Sequence, residues 1–144
     1  MKKVLMIFAV FALTLGGLGI FKPGQAFAAT SGWETHNGVK AKITTDRSGN
    51  YPSTDTYIGI NIQTQYSKKL SYQLMINDVN KHELLAERRG TIDANGNIDR
   101  QILISDFLGK GKSGKFKVLF KAYKYGDYDT WYGDWFTSEF TVTR

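Results

Sequence analysis

The sequence predicts an all-β fold, a small β-sandwich of about seven strands, and three observations carry that expectation. Apolar and polar residues alternate with a period of two along most of the chain after residue 38. Clusters of turn-forming residues interrupt the alternation about every 8–12 residues, the rhythm of short antiparallel strands. Cysteine is absent, so stability has to come from apolar burial and backbone pairing and not from cross-links. A small β-barrel is the alternative architecture.

The amino-terminal segment stands apart from that pattern. Met1-Lys2-Lys3 is followed by an apolar run from Val4 to Phe21, then Lys22-Pro23-Gly24 and the small-x-small triplet Ala26-Phe27-Ala28. A positive start, an apolar stretch, a helix breaker and an A-x-A site are the parts of a secretory signal peptide over residues 1–28. Cleavage is expected after Ala28, with Ala29 the next candidate. The rival is an uncleaved anchor, since Val4–Phe21 approaches the ~20 apolar residues that cross a bilayer. Gly16, Gly17, Gly19 and the Pro23-Gly24 pair interrupt the helix an anchor would need. Without cysteine there is no lipid-attachment residue, and Glu139–Arg144 is polar. A released, secreted protein follows, extracellular or loosely associated with a cell wall, with no membrane contact after cleavage.

Cleavage also changes the charge. Lys2, Lys3 and Lys22 leave with the signal and no acid does, so the net charge falls from +6 to +3. That balance suits an anionic wall or anionic glycans, although solubility alone accounts for it. It is too small for nucleic-acid binding, and no basic stripe is interleaved with the aromatic residues.

Residues 29–38 are polar except for Trp33 and read as a flexible lead-in; residues 39–144 read as one domain. Val39, Ala41 and Ile43 alternate with Lys40, Lys42 and Thr44 in the first strand. Asp46–Thr54 is a loop rich in turn formers. Ile58, Ile60 and Ile62 form the next apolar face, and Leu70, Tyr72, Leu74 and Ile76 the one after. Asp78–Gly90 admits two readings, a capped two-turn helix from Asn80 or a strand entered through a four-residue turn, and the strand is favoured. Asn95-Gly96 is a strong hairpin signal, because both residues tolerate the positive φ of a type I′ turn. Ile98, Ile102 and Ile104 follow it. A Gly/Lys loop with one helical turn at Ser105–Leu108 leads to Phe116, Val118, Phe120 and Ala122. The last segment places Phe136, Phe140 and Val142 inward.

Asp93-Ala-Asn-Gly-Asn, Ser105-Asp-Phe-Leu-Gly and Gly114-Lys-Phe-Lys-Val-Leu-Phe-Lys-Ala together resemble the second half of many bacterial immunoglobulin-like modules. The resemblance spans about 30 residues and implies an immunoglobulin-like or fibronectin-like sandwich. It implies nothing about activity, since that architecture carries unrelated functions.

The most unusual stretch is Tyr123–Phe136, in which seven of fourteen residues are aromatic and Tyr-Gly-Asp occurs twice. The rings fall on both parities around two glycines, so they cannot all point into a core. A loop exposing Tyr125, Tyr128, Trp131, Tyr132 and Trp135 is the expected ligand-binding surface. Planar rings stack on sugars or anchor a protein partner, and nearby Asp side chains can accept hydroxyl hydrogen bonds. A self-packed corner is the competing reading. Asp127, Asp129 and Asp134 raise calcium as an open question; no metal or other cofactor is expected. Asp93-x-Asn95-x-Asn97-x-Asp99 lacks the glycine and the terminal acid of a calcium loop.

Catalytic motifs are missing. His36 and His82 have no metal-spaced partner, and there is no cysteine nucleophile and no Gly-x-Ser-x-Gly elbow. Gly111-Lys112-Ser113 lacks the first glycine of a phosphate loop, since Asp106 stands there. Lys110, Lys112 and Lys115 form a basic turn. A carboxylate pair for glycoside hydrolysis stays open, but a non-enzymatic function is expected. The reading is therefore a secreted, monomeric binding module that contacts a cell-surface polysaccharide or an extracellular protein. The alternative is a protein-interaction effector such as a hydrolase inhibitor, an immunity factor or a small toxin.

Overall fold

The computed structural model describes residues 28–47 and 49–144; the expected signal peptide, residues 1–28, lies outside the described residues but for Ala28. The described chain forms ten strands: β1 (Glu34–His36), β2 (Val39–Thr45), β3 (Asn50–Tyr51), β4 (Tyr57–Gln65), β5 (Leu70–Asp78), β6 (Glu83–Ile92), β7 (Asn97–Leu103), β8 (Ser113–Lys124), β9 (Asp127–Phe136) and β10 (Phe140–Thr143). One 3-10 turn, Ile104–Asp106, follows β7. The strands make two sheets, β1-β2-β4-β7 and β3-β10-β8-β5-β6, with β9 joining the second by pairing with β8. This is an immunoglobulin-like β-sandwich, as the alternation predicts, and not a closed barrel.

The inner faces are the predicted ones. Val39, Ala41 and Ile43 from β2 and Ile58, Ile60 and Ile62 from β4 are buried against Leu70, Tyr72, Leu74 and Ile76 from β5 and Phe116, Val118, Phe120 and Ala122 from β8. Each fully buried aliphatic or aromatic side chain contributes about 1.5–3 kcal/mol of transfer free energy, which supplies stability without cross-links. Asp78–Gly90 resolves as strand. Asp78 accepts the Asn80 and Lys81 amides, both at 3.1 Å, in a turn that ends at His82 with φ 54°. β6 then returns antiparallel to β5.

Four local expectations need correction. Residues 29–38 are not a free lead-in. The Ala29 carbonyl accepts the Thr45 amide at 2.8 Å, Thr30 bridges Thr44, and β1 pairs with β2 across a turn at Asn37-Gly38. The Asp46–Thr54 loop contains β3, which runs parallel to β10. There the buried Tyr51 hydroxyl donates to Asp46 at 2.6 Å and accepts the Arg47 amide at 3.1 Å. Burial and the adjacent Asp46 carboxylate push that phenol far above its usual range.

Asn95-Gly96 does not close a hairpin. β6 belongs to one sheet and β7 to the other, so the turn is a crossover between layers. Asn95 alone has positive φ, at 51°. The turn is tied to the end of β4 instead: Asn95 N–H to the Tyr66 carbonyl at 2.9 Å and Gly96 N–H to the Thr64 hydroxyl at 3.1 Å. Period-two alternation reports which residues face inward, and it does not report which sheet receives the next strand. Phe136, expected inside, is 40% exposed, because Trp135 takes the inward position beside it.

One ring joins the layers at the β6–β7 side. Tyr72 is buried, and its hydroxyl accepts the Arg100 Nε–H of β7 at 2.8 Å. A methyl group on Gly90 would lie 2.6 Å from that hydroxyl oxygen, closer than any non-bonded contact allows. Gly90→Ala is expected to destabilise the domain by about 1–3 kcal/mol through displacement of Tyr72. Urea unfolding measures it, and an unchanged midpoint would show that the ring shifts freely.

Candidate functional site

The aromatic segment is a strand, not a loop. β8 turns back at Tyr125-Gly126, where Gly126 has φ 75°, and β9 pairs with β8 along its second half. The register slips between the pairs Ala122–Gly133 and Tyr123–Trp131, so Tyr132 is an extra, bulged residue. A second slip leads to Lys124–Asp127. These irregularities let rings of both parities coexist, since a bulge re-aims the side chains around it.

The five expected contact residues separate into three environments. Trp135 is fully buried: it packs against Phe120 at 5.6 Å and edge-on to His36 at 4.8 Å, and its indole N–H donates to the Glu34 carbonyl at 3.0 Å. It is a core residue, and its assignment to a contact surface is corrected. A methyl group on Gly133, two residues before it, would lie 2.5 Å from His36 Cβ, so this glycine is what lets β1 lie against β9.

Trp131 and Tyr128 stand on the outer face of the larger sheet. Trp131 is 52% exposed, and its indole N–H donates to Asp134 at 2.8 Å. Tyr128 lies 5.1 Å from the Tyr123 ring, with the Arg89 guanidinium 4.8 Å above its own ring. A polar row crosses the sheet beside them. Lys121 Nζ is 3.6 Å from Asp134, Tyr123 donates to Gln73 at 2.6 Å, and Gln73 donates to Glu87, which also pairs with Arg89 at 3.0 Å. Burial, followed by the nearby Asp134 carboxylate, raises the Tyr123 phenol above its usual value.

Tyr125 and Tyr132 face the end of the sandwich. Together with Tyr66, Lys68, Lys69 and Lys124 they line a cleft of about 310 Å³. Lys69 Nζ lies 4.8 Å over the Tyr125 ring. The Tyr132 and Tyr66 rings are 5.9 Å apart, and the neighbouring Tyr66 phenol pushes the Tyr132 hydroxyl up. The sequence reading missed Tyr66, Lys68 and Lys69, which belong to the β4–β5 connection. Sequence separation hid them, because the β4–β5 connection and the β8–β9 hairpin are about sixty residues apart and meet only in the fold.

The three acids do not converge. Asp127 accepts the Asp129 amide at 3.0 Å and the Thr130 hydroxyl at 2.7 Å, whereas Asp134 serves Trp131 and Lys121. Among the described residues no group of His, Asp and Glu is placed to hold a metal ion. Among them, too, no helix is long and apolar enough to cross a membrane.

Two substitutions separate core from surface. Trp135→Ala is expected to cost about 3–5 kcal/mol and Trp131→Ala less than about 1 kcal/mol in chemical unfolding; equal losses would contradict the division. A third reads the turn. The Thr130 hydroxyl, then the Asp129 amide, hold the Asp127 carboxyl below its ordinary pKa. A depressed folded-state pKa contributes stability above the ordinary carboxylate range and loses it as pH falls through the folded value. Thr130→Ala is expected to raise the Asp127 pKa toward the ordinary value in a carboxyl NMR titration; an unmoved titration would assign the shift to the backbone amide.

No curated protein matches the chain. Among solved structures it is similar to WR4, an MSP family member from C. elegans, at 20% identity and a TM-score of 0.42, over 70% of this chain and 95% of WR4. It is also similar to the periplasmic chaperone SfaE at 10% identity and a TM-score of 0.46, over 70% of this chain and 56% of the chaperone. The YqgA MG2 macroglobulin domain family matches residues 26–143, a span that takes in all ten strands, and the chain belongs to that family.

Proposed function

We propose that this domain is a secreted, non-enzymatic binding module whose β8–β9 hairpin contacts a cell-surface polysaccharide. The observation that carries the reading is Trp131, half exposed on a sheet face with its indole fixed by Asp134 at 2.8 Å. A ring held in one orientation loses little freedom on binding, and it presents a flat apolar face to a pyranose. Lys121, Gln73, Glu87 and Arg89 supply donors and acceptors beside it at the spacing of neighbouring strands, as hydroxyl recognition requires. The signal-like segment before Ala29 supports export. A monomer with no cofactor is sufficient for this role.

A second reading, a protein-interaction effector of the inhibitor, immunity or toxin type, is favoured by one observation. β6 pairs with β5, and it carries Leu84 51% exposed, the kind of edge to which a partner strand adds.

Glycan arrays and isothermal titration with Trp131→Ala and Tyr128→Ala separate the two readings. Loss of polysaccharide binding in Trp131→Ala, with stability retained, is the expected result. Unchanged glycan binding in both variants would remove the outer-face assignment. A stoichiometric complex with one protein and no glycan affinity would favour the effector.

A further inference from the structure

We infer that the cleft at the end of the sandwich is a second subsite for the same chain, and that its ligand is anionic: a saccharide polymer bearing carboxylate or phosphodiester groups. The inference rests on the polysaccharide reading above and adds the charge of the ligand.

The argument begins with what the cleft is made of. Three lysines, Lys68, Lys69 and Lys124, line one cavity of about 310 Å³ together with Tyr66, Tyr125 and Tyr132. Among the described residues that line it there is no carboxylate. The acids nearest these lysines compensate them only in part. Asp93 approaches Lys69 Nζ at 3.8 Å with its side chain 87% exposed, a separation and exposure at which an ion pair contributes about 0–1 kcal/mol. The Asp127 carboxylate, held ionised by the Thr130 hydroxyl and the Asp129 amide, sits beside Lys124 and offsets one of the three positive charges, which leaves the cleft with a positive excess.

Concentrating positive charge this way is unfavourable in the free protein, and the fold keeps it in place. Two backbone devices hold it. The Tyr66 carbonyl accepts the Asn95 amide at 2.9 Å, which fixes the β4–β5 connection. The Gly126 amide donates to Ser71 Oγ at 2.9 Å, which fixes the hairpin turn. Ammonium groups supply point charges to anionic oxygens, phenols donate hydrogen bonds, and the exposed Tyr125 ring offers a stacking face. A sugar carrying a negative charge uses all three.

The test compares polygalacturonate, phosphomannan and neutral dextran on the purified protein by isothermal titration. Lys69→Gln/Lys124→Gln is the cleft variant, and Lys110→Gln/Lys112→Gln on the basic turn carries the same change in net charge. The four lysines altered in the two variants are all solvent-exposed in the fold, and thermal unfolding checks that both variants keep it. The expected result is that the cleft variant binds the anionic polymers about tenfold more weakly while the turn variant binds as the parent does. Which of the two polymers is preferred identifies the anionic group. Equal losses in both variants would reduce the effect to net charge and overturn the inference, and so would dextran binding as tightly as the charged polymers. Anionic binding that depends on the cleft but survives Trp131→Ala would overturn the outer-face reading alone. Dextran binding that depends on Trp131, with no response to the lysines, would overturn the anionic cleft alone. Binding to none of the three overturns both.

Discussion

The structure depends on where one indole goes. Trp135 fills the space between the sheets beside Phe120 and reaches the Glu34 carbonyl at 3.0 Å, so a single side chain holds β9, β8 and β1 together. Its inward position sets the parity of everything around it. Gly133, two residues earlier, also points inward and has to be glycine because His36 lies against it. Phe136 and Asp134 must then face outward. The bulge at Tyr132 shifts the register once more, placing Trp131 on the outer face and Tyr132 toward the end of the sandwich. Two chemically different surfaces on one hairpin are thus a result of core packing.

Much of the fold was legible because the apolar alternation of β2, β4, β5 and β8 directly reports a buried face. The strand over Asp78–Gly90 was legible through its turn. What was not legible has identifiable causes. β1 and β3 are only three and two residues long, too short to show an alternation, and their pairing is made by backbone groups that leave no trace in side-chain pattern. The layer crossing at Asn95-Gly96 was misread because the same dipeptide serves any turn that needs a left-handed residue. The hydrogen bonds that select the crossing come from Thr64 and Tyr66, about thirty residues away.

The aromatic segment shows the same division. Its composition announced rings on both faces, and both faces are used, but composition could not separate Trp135 from Trp131. That distinction depends on a register slip of one residue, and in a strand a slip of one residue exchanges inside for outside. The lysines of the β4–β5 connection were invisible for another reason. They are ordinary surface residues in sequence, and only their meeting with Tyr125 and Tyr132 gives them a common purpose in the proposed cleft.

The position of β10 has a consequence for how the chain acquires its structure. Phe140–Thr143 lies between β3 and β8, partners about 90 and 27 residues earlier in the chain, and Phe140 and Val142 are buried there. Long-range pairings of this kind carry loop-closure entropy that must be overcome before they contribute, and all-β domains rich in them fold in about milliseconds to seconds. The second sheet therefore stays open until its last strand has been made. Until Phe140–Thr143 has been synthesised, β3 and the first part of β8 lack the strand that joins them, so the layer is completed by the final segment of the domain.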